Sequence, residues 1–441
     1  MTIDFIKIKD KILSSKFLKG DVFIEETKST VVKFENSKLI SIDKAEKEGI
    51  GVRIIKDSRV GFSSSNDFTK VDEVFEKAID VSKYGEELDI TFPKQPSYVL
   101  PIKVYDTSLE NVNERDIVEF GEEIIGTIKE INPNIEVNLN IEKSFIKKTI
   151  INSSGLDLTL SKSIWGIEIA GVYVNDDESL LWLYDSKYTT RYDIDFSSMV
   201  SYLQNIFVFS NKDRGSINSG KYTVIFAPNA LQTLINILCI SLNGENVYRG
   251  ISPVRDSIGE KIFSEKFSLI DSPHLDWAIN SQPFDDEGVI TNYNEIISNG
   301  VLKSFVNDLR TAYLQGQVST GNGFRTYSSL PKPSFSNIIV PKGDNNLREM
   351  ISSIDKGLIV YNVLGGGQSN VNAGEFSVNV ETGLVVENGK ILGRVKDVMI
   401  FGNVFDLFKA VISVSKETKA EHNAILPYIM FGDVNVASKN A

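Results

Sequence analysis

The chain reads as an α+β protein in which helices pack on antiparallel sheets, and three observations carry that expectation. Segments that alternate apolar and polar residues, rich in β-branched and aromatic side chains, recur from Asp21 almost to the end of the chain. Asn299-Gly300 and Asn388-Gly389 are two-residue hairpin signals, the second set between alternating apolar runs as a type I′ turn requires. No fixed-period repeat appears, which excludes solenoids and propellers. The expected form is an N-terminal antiparallel sheet with packed helices, followed by a β-rich C-terminal domain with a central helix.

In chain order, Ile3 to Phe17 is an amphipathic helix whose apolar residues include Ile8 and Ile12. Asp21 to Phe34, Leu39 to Glu46, Gly49 to Lys56 and Arg59 to Ser64 read as strands of a meander, joined by polar turns such as Glu35-Asn36-Ser37. Phe68 to Tyr84 is a second helix, opened by Asn66 or Asp67 as a cap and closed near Gly85. Three prolines make Thr91 to Pro101 an extended connector, and Asn111 to Ile131 is a long helix stopped by Asn132-Pro133. Ile135 to Ile141, Ser144 to Asn152, Asp157 to Asp176 and Ser179 to Tyr188 read as strands, and Asp193 to Phe207 as a helix.

The polar, Gly- and Ser-containing stretch Asn211 to Gly220 then lies between that helix and a new strand, Lys221 to Ala227. It marks an expected boundary between an N-terminal domain, 1–215, and a C-terminal one, 216–441. The central helix follows. Pro228 suits a first turn, Leu231, Leu234, Ile235, Leu238 and Leu242 share one face, and Asn243-Gly244 ends the pattern. Strands are expected at Phe267 to Asp271, Ile296 to Asn299, Val301 to Asn307, Ser336 to Val340, Gly357 to Val363, Glu375 to Glu387, Lys390 to Gly402 and Pro427 to Val436. Val404 to Val414 reads as a short helix.

Composition restricts the function classes. With 441 residues, 41% of them hydrophobic, the chain has apolar material for two or three domains. A net charge of −12, with no basic stripe, argues against nucleic acid as a main partner, because such proteins concentrate Lys and Arg to displace phosphate counterions. The N-terminus lacks the uninterrupted apolar core of a signal peptide, and no window reaches the roughly 18 apolar residues of a membrane span. The single cysteine, Cys239, allows no internal disulfide. A cytoplasmic protein is the expectation.

Several residue groups are candidates for chemistry. Asp285-Asp286-Glu287 is a carboxylate cluster suited to a metal or to acid–base work, although adjacent loop carboxylates are more often solvated or bonded to nearby backbone N–H groups. Gly321-Asn322-Gly323 with Arg325 reads as a tight turn or as a backbone cradle for an anion. Gly365-Gly366-Gly367-Gln368 reads as a turn, or as bare backbone against which a peptide strand pairs. Cys239, His274 and His422 are by count enough for a zinc site, but Cys239 lies among apolar helix residues and His274 sits in a loop where exposure is the default. No phosphate-binding loop, dinucleotide fingerprint or Ser-His-Asp arrangement is present.

The central helix with Gly250-Ile251-Ser252 and Gly259-Glu260, the block Phe284 to Gly288, the run Ser319 to Gly323 and the triplet at Gly365 together resemble the TldD/PmbA family. That family includes zinc peptidases and metal-free partners, and the resemblance spans nearly the whole chain. In the peptidases this helix carries a His-Glu-x-x-x-His motif. Laid on this chain through the shared Gly250 and Gly259 blocks, the motif positions fall on Ile235, Asn236 and Ile240. Isoleucine has no lone pair for a metal, and asparagine does not take a proton from water. His422 falls near the region where the peptidases keep their third ligand, a cysteine.

The resemblance therefore implies a PmbA-like, non-catalytic subunit that needs no cofactor of its own. It would pair with a TldD-like zinc peptidase subunit, shape a shared chamber, and hold a peptide or unfolded protein substrate. Alone it would form a homodimer. An autonomous metallopeptidase with an unconventional site, and a regulatory binding protein without proteolytic activity, stay open beside that reading.

Overall fold

Tight turns at positive φ decide where the strands of this protein reverse. A computed structural model describes residues 5–14, 19–174, 180–192, 195–210, 215–367 and 369–439. The first part contains α1 (Phe5–Ser14), β1 (Lys19–Glu35), β2 (Lys38–Lys56), β3 (Arg59–Ser65), α2 (Val71–Ser82), α3 (Glu114–Ile131), β4 (Glu136–Asn152), β5 (Asp157–Val174), β6 (Leu180–Thr189) and α4 (Ser197–Ser210). Its strands form one antiparallel sheet in the order β3-β2-β1-β4-β5-β6. Asn36 and Ser37, at φ 48° and 63°, close the β1–β2 hairpin, and Asp57 and Ser58, at 51° and 56°, close β2–β3. Two successive positive φ values give the twist that suits neighbouring strands.

Two expected strand breaks do not occur. Lys38–Lys56 is one continuous strand through the charged run at Glu46, and Glu136–Asn152 is continuous through Glu142-Lys143. These polar runs lie on the ladder itself. Lys28 faces Glu46 across β1 and β2, and the pair meets at 3.3 Å in solvent, so opposite charges directly opposed support the strand where the residue types suggested a turn. The helix expected from Asp193 begins at Ser197, whose N–H donates to Asp195 Oδ1 at 2.8 Å. The ends of the Ile3 to Phe17 helix, and residues 211–214 of the expected boundary, lie outside the described residues.

The second part contains β7 (Gly220–Phe226), α5 (Pro228–Ser241), α6 (Gly244–Tyr248), β8 (Leu269–Asp271), β9 (Asn294–Ser298), β10 (Val301–Leu302), α7 (Leu309–Leu314), β11 (Gly323–Phe324), β12 (Lys332–Pro333), β13 (Ile338–Ile339), α8 (Leu347–Ser352), β14 (Lys356–Gly365), β15 (Glu375–Glu387), β16 (Lys390–Arg394), β17 (Val398–Asn403), α9 (Val404–Lys409), β18 (Val411–Glu421) and β19 (Ala424–Ser438). Strands β7, β14, β15, β17 and β19 pair in sequence, and β19 pairs back to β7, so this ring of hydrogen bonds closes. The β7–β14 and β13–β19 pairs are parallel, an addition to the antiparallel expectation. Asn388 and Gly389 turn at φ 49° and 72°, as their sequence requires.

Three further expectations need correction here. The helix at Val404 ends at Lys409, because Val411-Ile412-Ser413-Val414 alternates at period two and pairs with β19. Lys390 to Gly402 is two strands, separated where Asp397 takes φ 54°. Val301 pairs with β9 only through Leu302, so the strand expected to Asn307 is a short one.

Alternation along β7, β14 and β19 divides the apolar residues between two cores. Val224, Phe226, Leu358, Val360, Ile429 and Phe431 pack with the α5 face of Leu231, Leu234, Ile235 and Leu238. Their neighbours Ile225, Ile359, Tyr361 and Met430 pack instead with Ile124 and Ile128 of α3, Leu203 and Ile206 of α4, and Trp165 of β5. The second core thus draws residues from both sheets, and the middle of β6 lies beside the start of α5, where Asn229 Nδ2 donates to the Tyr184 carbonyl at 3.5 Å.

Candidate functional site

The α5 helix presents two chemically different faces. Ile235 is fully buried in the core, Asn236 is exposed, and Ile240 is half-buried. Asn229, Gln232, Thr233 and Asn236 recur at three- and four-residue steps on the other face, and all four line a cavity of about 290 Å³. Gln232 donates from Nε2 to Asn236 Oδ1 at 2.7 Å, while Gln232 Oε1 is buried without a partner.

The remaining walls come from four strands and a turn. Tyr184 enters from β6, Asn362 and Val363 from β14, Glu381 from β15, and Glu421 and His422 from the end of β18 and its turn into β19. The β14–β15 ladder shifts register around Asn362, an irregularity that re-aims side chains next to a site. Asn362 is 5% exposed, and its Nδ2 has no hydrogen-bond partner. His422 adopts φ 44° in the turn and stacks on Tyr188 of β6 with ring centroids 5.4 Å apart.

Charge in this region is concentrated and poorly hydrated. Lys419 bonds to Asp185 and Glu421, donates to Asn229 Oδ1 at 3.1 Å, and lies 4.2 Å from the Tyr202 ring centroid. Burial outweighs Lys419 and pushes the Glu421 carboxyl up to about 7. Burial alone raises Glu381 above the ordinary carboxylate range, and among the described residues Glu381 has neither a hydrogen-bond nor an ion-pair partner. No group of three His, Cys, Asp or Glu side chains among the described residues is placed to hold a metal ion.

The other candidates do not share this cavity. Gly365 and Gly366 both take φ 96° at the end of β14, and a Cβ on Gly366 would lie 3.2 Å from Thr233 Cγ2. Gln368 lies outside the described residues. On its β7 side, β14 pairs only as far as Val360. Cys239 is half-buried against the α5 core, and burial pushes its thiol up. His274 is half-buried, not exposed, with Nε2 2.9 Å from Thr291 Oγ1, and burial lowers its pKa. Cys239, His274 and His422 are therefore held by three separate environments.

Asp285, Asp286 and Glu287 are not solvated, being at most 2% exposed. Asp285 accepts from the N–H groups of Glu287, Val289 and Gly323 at 2.8–2.9 Å. Asp286 accepts from Arg325 N at 3.0 Å and from Lys148 at 3.0 and 3.1 Å. Glu287 meets Arg53 at 2.7 Å and accepts from Leu309 N at 2.7 Å. The Gly321 to Arg325 loop is thus both a turn and an anion cradle, and the anions it cradles are the protein's own carboxylates. Its glycine permits the approach, because a Cβ on Gly323 would lie 2.5 Å from Glu287 Oε2. This network ties the β1–β2 hairpin to the loops of the second part.

Sequence reasoning found Asn236 and His422 but missed Asn229, Gln232, Glu381 and Glu421. The polar stripe at Asn229, Gln232 and Asn236 was available as a signal, though such a stripe usually marks the solvent face of an amphipathic helix.

Comparison with known proteins agrees over most of the length. Residues 219–438 match the family described as PmbA/TldA metallopeptidase C-terminal domain, and residues 20–82 match PmbA/TldA metallopeptidase domain 1. An uncharacterised protein of Methanocaldococcus jannaschii is 30% identical over 389 residues, covering 87% of this chain and 88% of that protein. The metalloprotease PmbA homologue of Buchnera aphidicola is 22% identical over 98% of this chain and 96% of its own. The crystal structure of TldE from Thermococcus kodakarensis shares the fold, with a TM-score of 0.88, 24% identity and 99% of each chain covered. A Thermotoga maritima protein whose name links it to modulation of DNA gyrase shares it too, with a TM-score of 0.89 at 23% identity over 98% of this chain and 99% of that one.

Proposed function

Because this chain belongs to the PmbA/TldD metallopeptidase family, we propose that it is a PmbA-like, non-catalytic subunit that assembles with a zinc-bearing TldD-like chain. In that assembly it holds a peptide or unfolded segment for its partner to cleave. The observation that carries this reading is the chemistry of α5. Ile235 is buried in the core, Ile240 is half-buried and Asn236 is exposed, and at the positions that the family resemblance assigns to two metal ligands and a general base these are two hydrocarbons and an amide. Zinc does not fit this donor set. No hydrolytic step through a metal is therefore assigned to this chain.

Two features support the holding role. Asn236 lines a polar recess together with Asn229, Gln232 and Thr233. The strand β14 continues past the end of its β7 pairing, leaving the backbone from Tyr361 to Leu364 open on that side for an extended peptide that would end against the turn at Gly365 to Gly367. A symmetric pair uses the same patch on both subunits, so a related chain replaces one copy with little change in shape.

Sedimentation of the purified protein, alone and mixed with a TldD-like chain from the same cell, followed by a peptidase assay, tests the proposal. A homodimer alone, a heterodimer in the mixture and peptide cleavage only by the mixture are expected. A monomer in both samples, with the TldD-like chain equally active alone, contradicts it.

A further inference from the structure

The cavity on α5 has chemistry of its own that the missing metal ligands do not explain. Its carboxylates are unequal. Glu421 is bonded to Lys419, whereas Glu381 faces the cavity with no cationic partner among the described residues. Near them stand a buried donor, the Asn362 carboxamide, and a buried acceptor, Gln232 Oε1, both without partners. The chain itself supplies neither group with a partner, and a ligand in the cavity is placed to satisfy both.

We propose that this cavity is a binding site for the primary ammonium group of a peptide, held by Glu381 with Glu421 behind it. The inference rests on the peptide-holding role proposed above and supplies its recognition chemistry. Glu381, without a cation beside it among the described residues, offers an ammonium group an acceptor. An acceptor next to that cation is required by the Asn362 carboxamide, and a peptide N-terminus supplies both in one residue, its α-ammonium and its first carbonyl oxygen. Gln232 Oε1 takes a second ammonium hydrogen or the next amide N–H. A metal ion is a poorer match, since the His, Cys, Asp and Glu side chains here do not converge on one point.

Size and surroundings agree. About 290 Å³ is at the lower limit of roughly 300 Å³ for sites that enclose drug-sized ligands, so the cavity suits a chain end and not a folded surface. Tyr184 and His422 form aromatic walls, and aromatic faces favour a nearby ammonium. Burial raises the pKa of both Glu381 and Glu421, and an ammonium bound between them would draw the carboxyls back towards the ionised form.

The test uses the full chain and three alanine-based pentapeptides with a C-terminal fluorophore: one with a free N-terminus, one N-acetylated, and one N-acetylated with a lysine at its second position. Fluorescence anisotropy is expected to show the free peptide binding at least tenfold more tightly than the acetylated one. Glu381→Gln, with its unfolding midpoint checked, should reduce the free peptide to the acetylated level. If the acetylated lysine peptide matches the free one, the ammonium site stands and its source is a side chain. Equal binding of all three overturns the ammonium site while leaving the peptide-holding role intact. Binding of none overturns both.

Discussion

Arg325 Nη2 lies 2.9 Å from Asp21 Oδ2 with both side chains fully buried, although the two residues stand 304 positions apart in the chain. Asp21 also accepts from Arg53, its cross-strand neighbour on β2, at 2.7 and 3.1 Å, and Arg53 passes on to Glu287. A continuous buried path of alternating charge therefore joins the first sheet to the loops of the second part. Phe23 and Phe92 cover its guanidinium groups, with centroids 4.7 Å from Arg325 and 5.0 Å from Arg53.

Removing one member of this path leaves an uncompensated buried charge. Asp21→Asn is expected to destabilise the protein by about 3–5 kcal/mol in urea unfolding. Glu46→Gln, which breaks a solvent-exposed pair with Lys28, is expected to cost less than about 1 kcal/mol. Similar losses for the two variants would show that the buried path adds nothing special.

The two faces of α5 are expected to respond differently. Leu234→Ala empties space at a fully buried position and should cost about 2–5 kcal/mol. Asn236→Ala, at an exposed position, should stay within about 0.5 kcal/mol. A large loss at Asn236 would mean that it holds the fold together and is no remnant of a site.

Much of the fold was legible because its determinants are local. The turns at Asn36-Ser37 and Asn388-Gly389 need positive φ values that few residue types supply, and Pro228 with the Leu231 to Leu242 stripe announces α5. Long strands were harder to read. The charged run at Glu46 resembles a turn by composition, and only its partner Lys28 on β1 shows that it lies on a ladder. The site was harder still, because Asn229, Glu381 and Glu421 meet through a closed ring of strands whose pairing is not encoded locally. Likewise, the burial of Asp285 to Glu287 depends on Arg53, Arg325 and Lys148, which are distant in sequence.

Stability should vary with pH in two opposed limbs. Glu421 rises from an ordinary 4.5 to about 7 in the folded protein, so between those values the folded state holds more proton than the unfolded one. Its contribution is fully present below pH 4.5 and is lost as the pH rises through 7. Lys162 falls from 10.5 to about 7, mainly through burial with Lys148 adding. Between those values the unfolded state holds more proton, so stability recovers as the pH rises from 7 towards 10.5. Glu421→Gln should make the acidic limb of a urea titration series shallower without removing it, because Glu287 carries a shift over the same range, and should leave the alkaline limb in place. An unchanged acidic limb would refute the assignment.

We propose that 1–215 and 216–441 are two units whose packing survives a cut inside the first. The connector at Thr91 to Pro101 lacks helix and strand, which makes it a site for limited proteolysis. Fragments nicked there are expected to co-elute on size exclusion, because the β1–β4 ladder and the buried contacts of Asp21 and Arg53 with Arg325 and Glu287 all cross the cut. Separation of the fragments without denaturant would count against that packing.

Native mass spectrometry of the heterocomplex reads directly where the metal sits. If Ile235 and Ile240 deprive this chain of a zinc site, the complex with a TldD-like chain carries one zinc per pair, and this chain released from it carries none. Two zinc ions per pair, or zinc retained on this chain, would contradict the account.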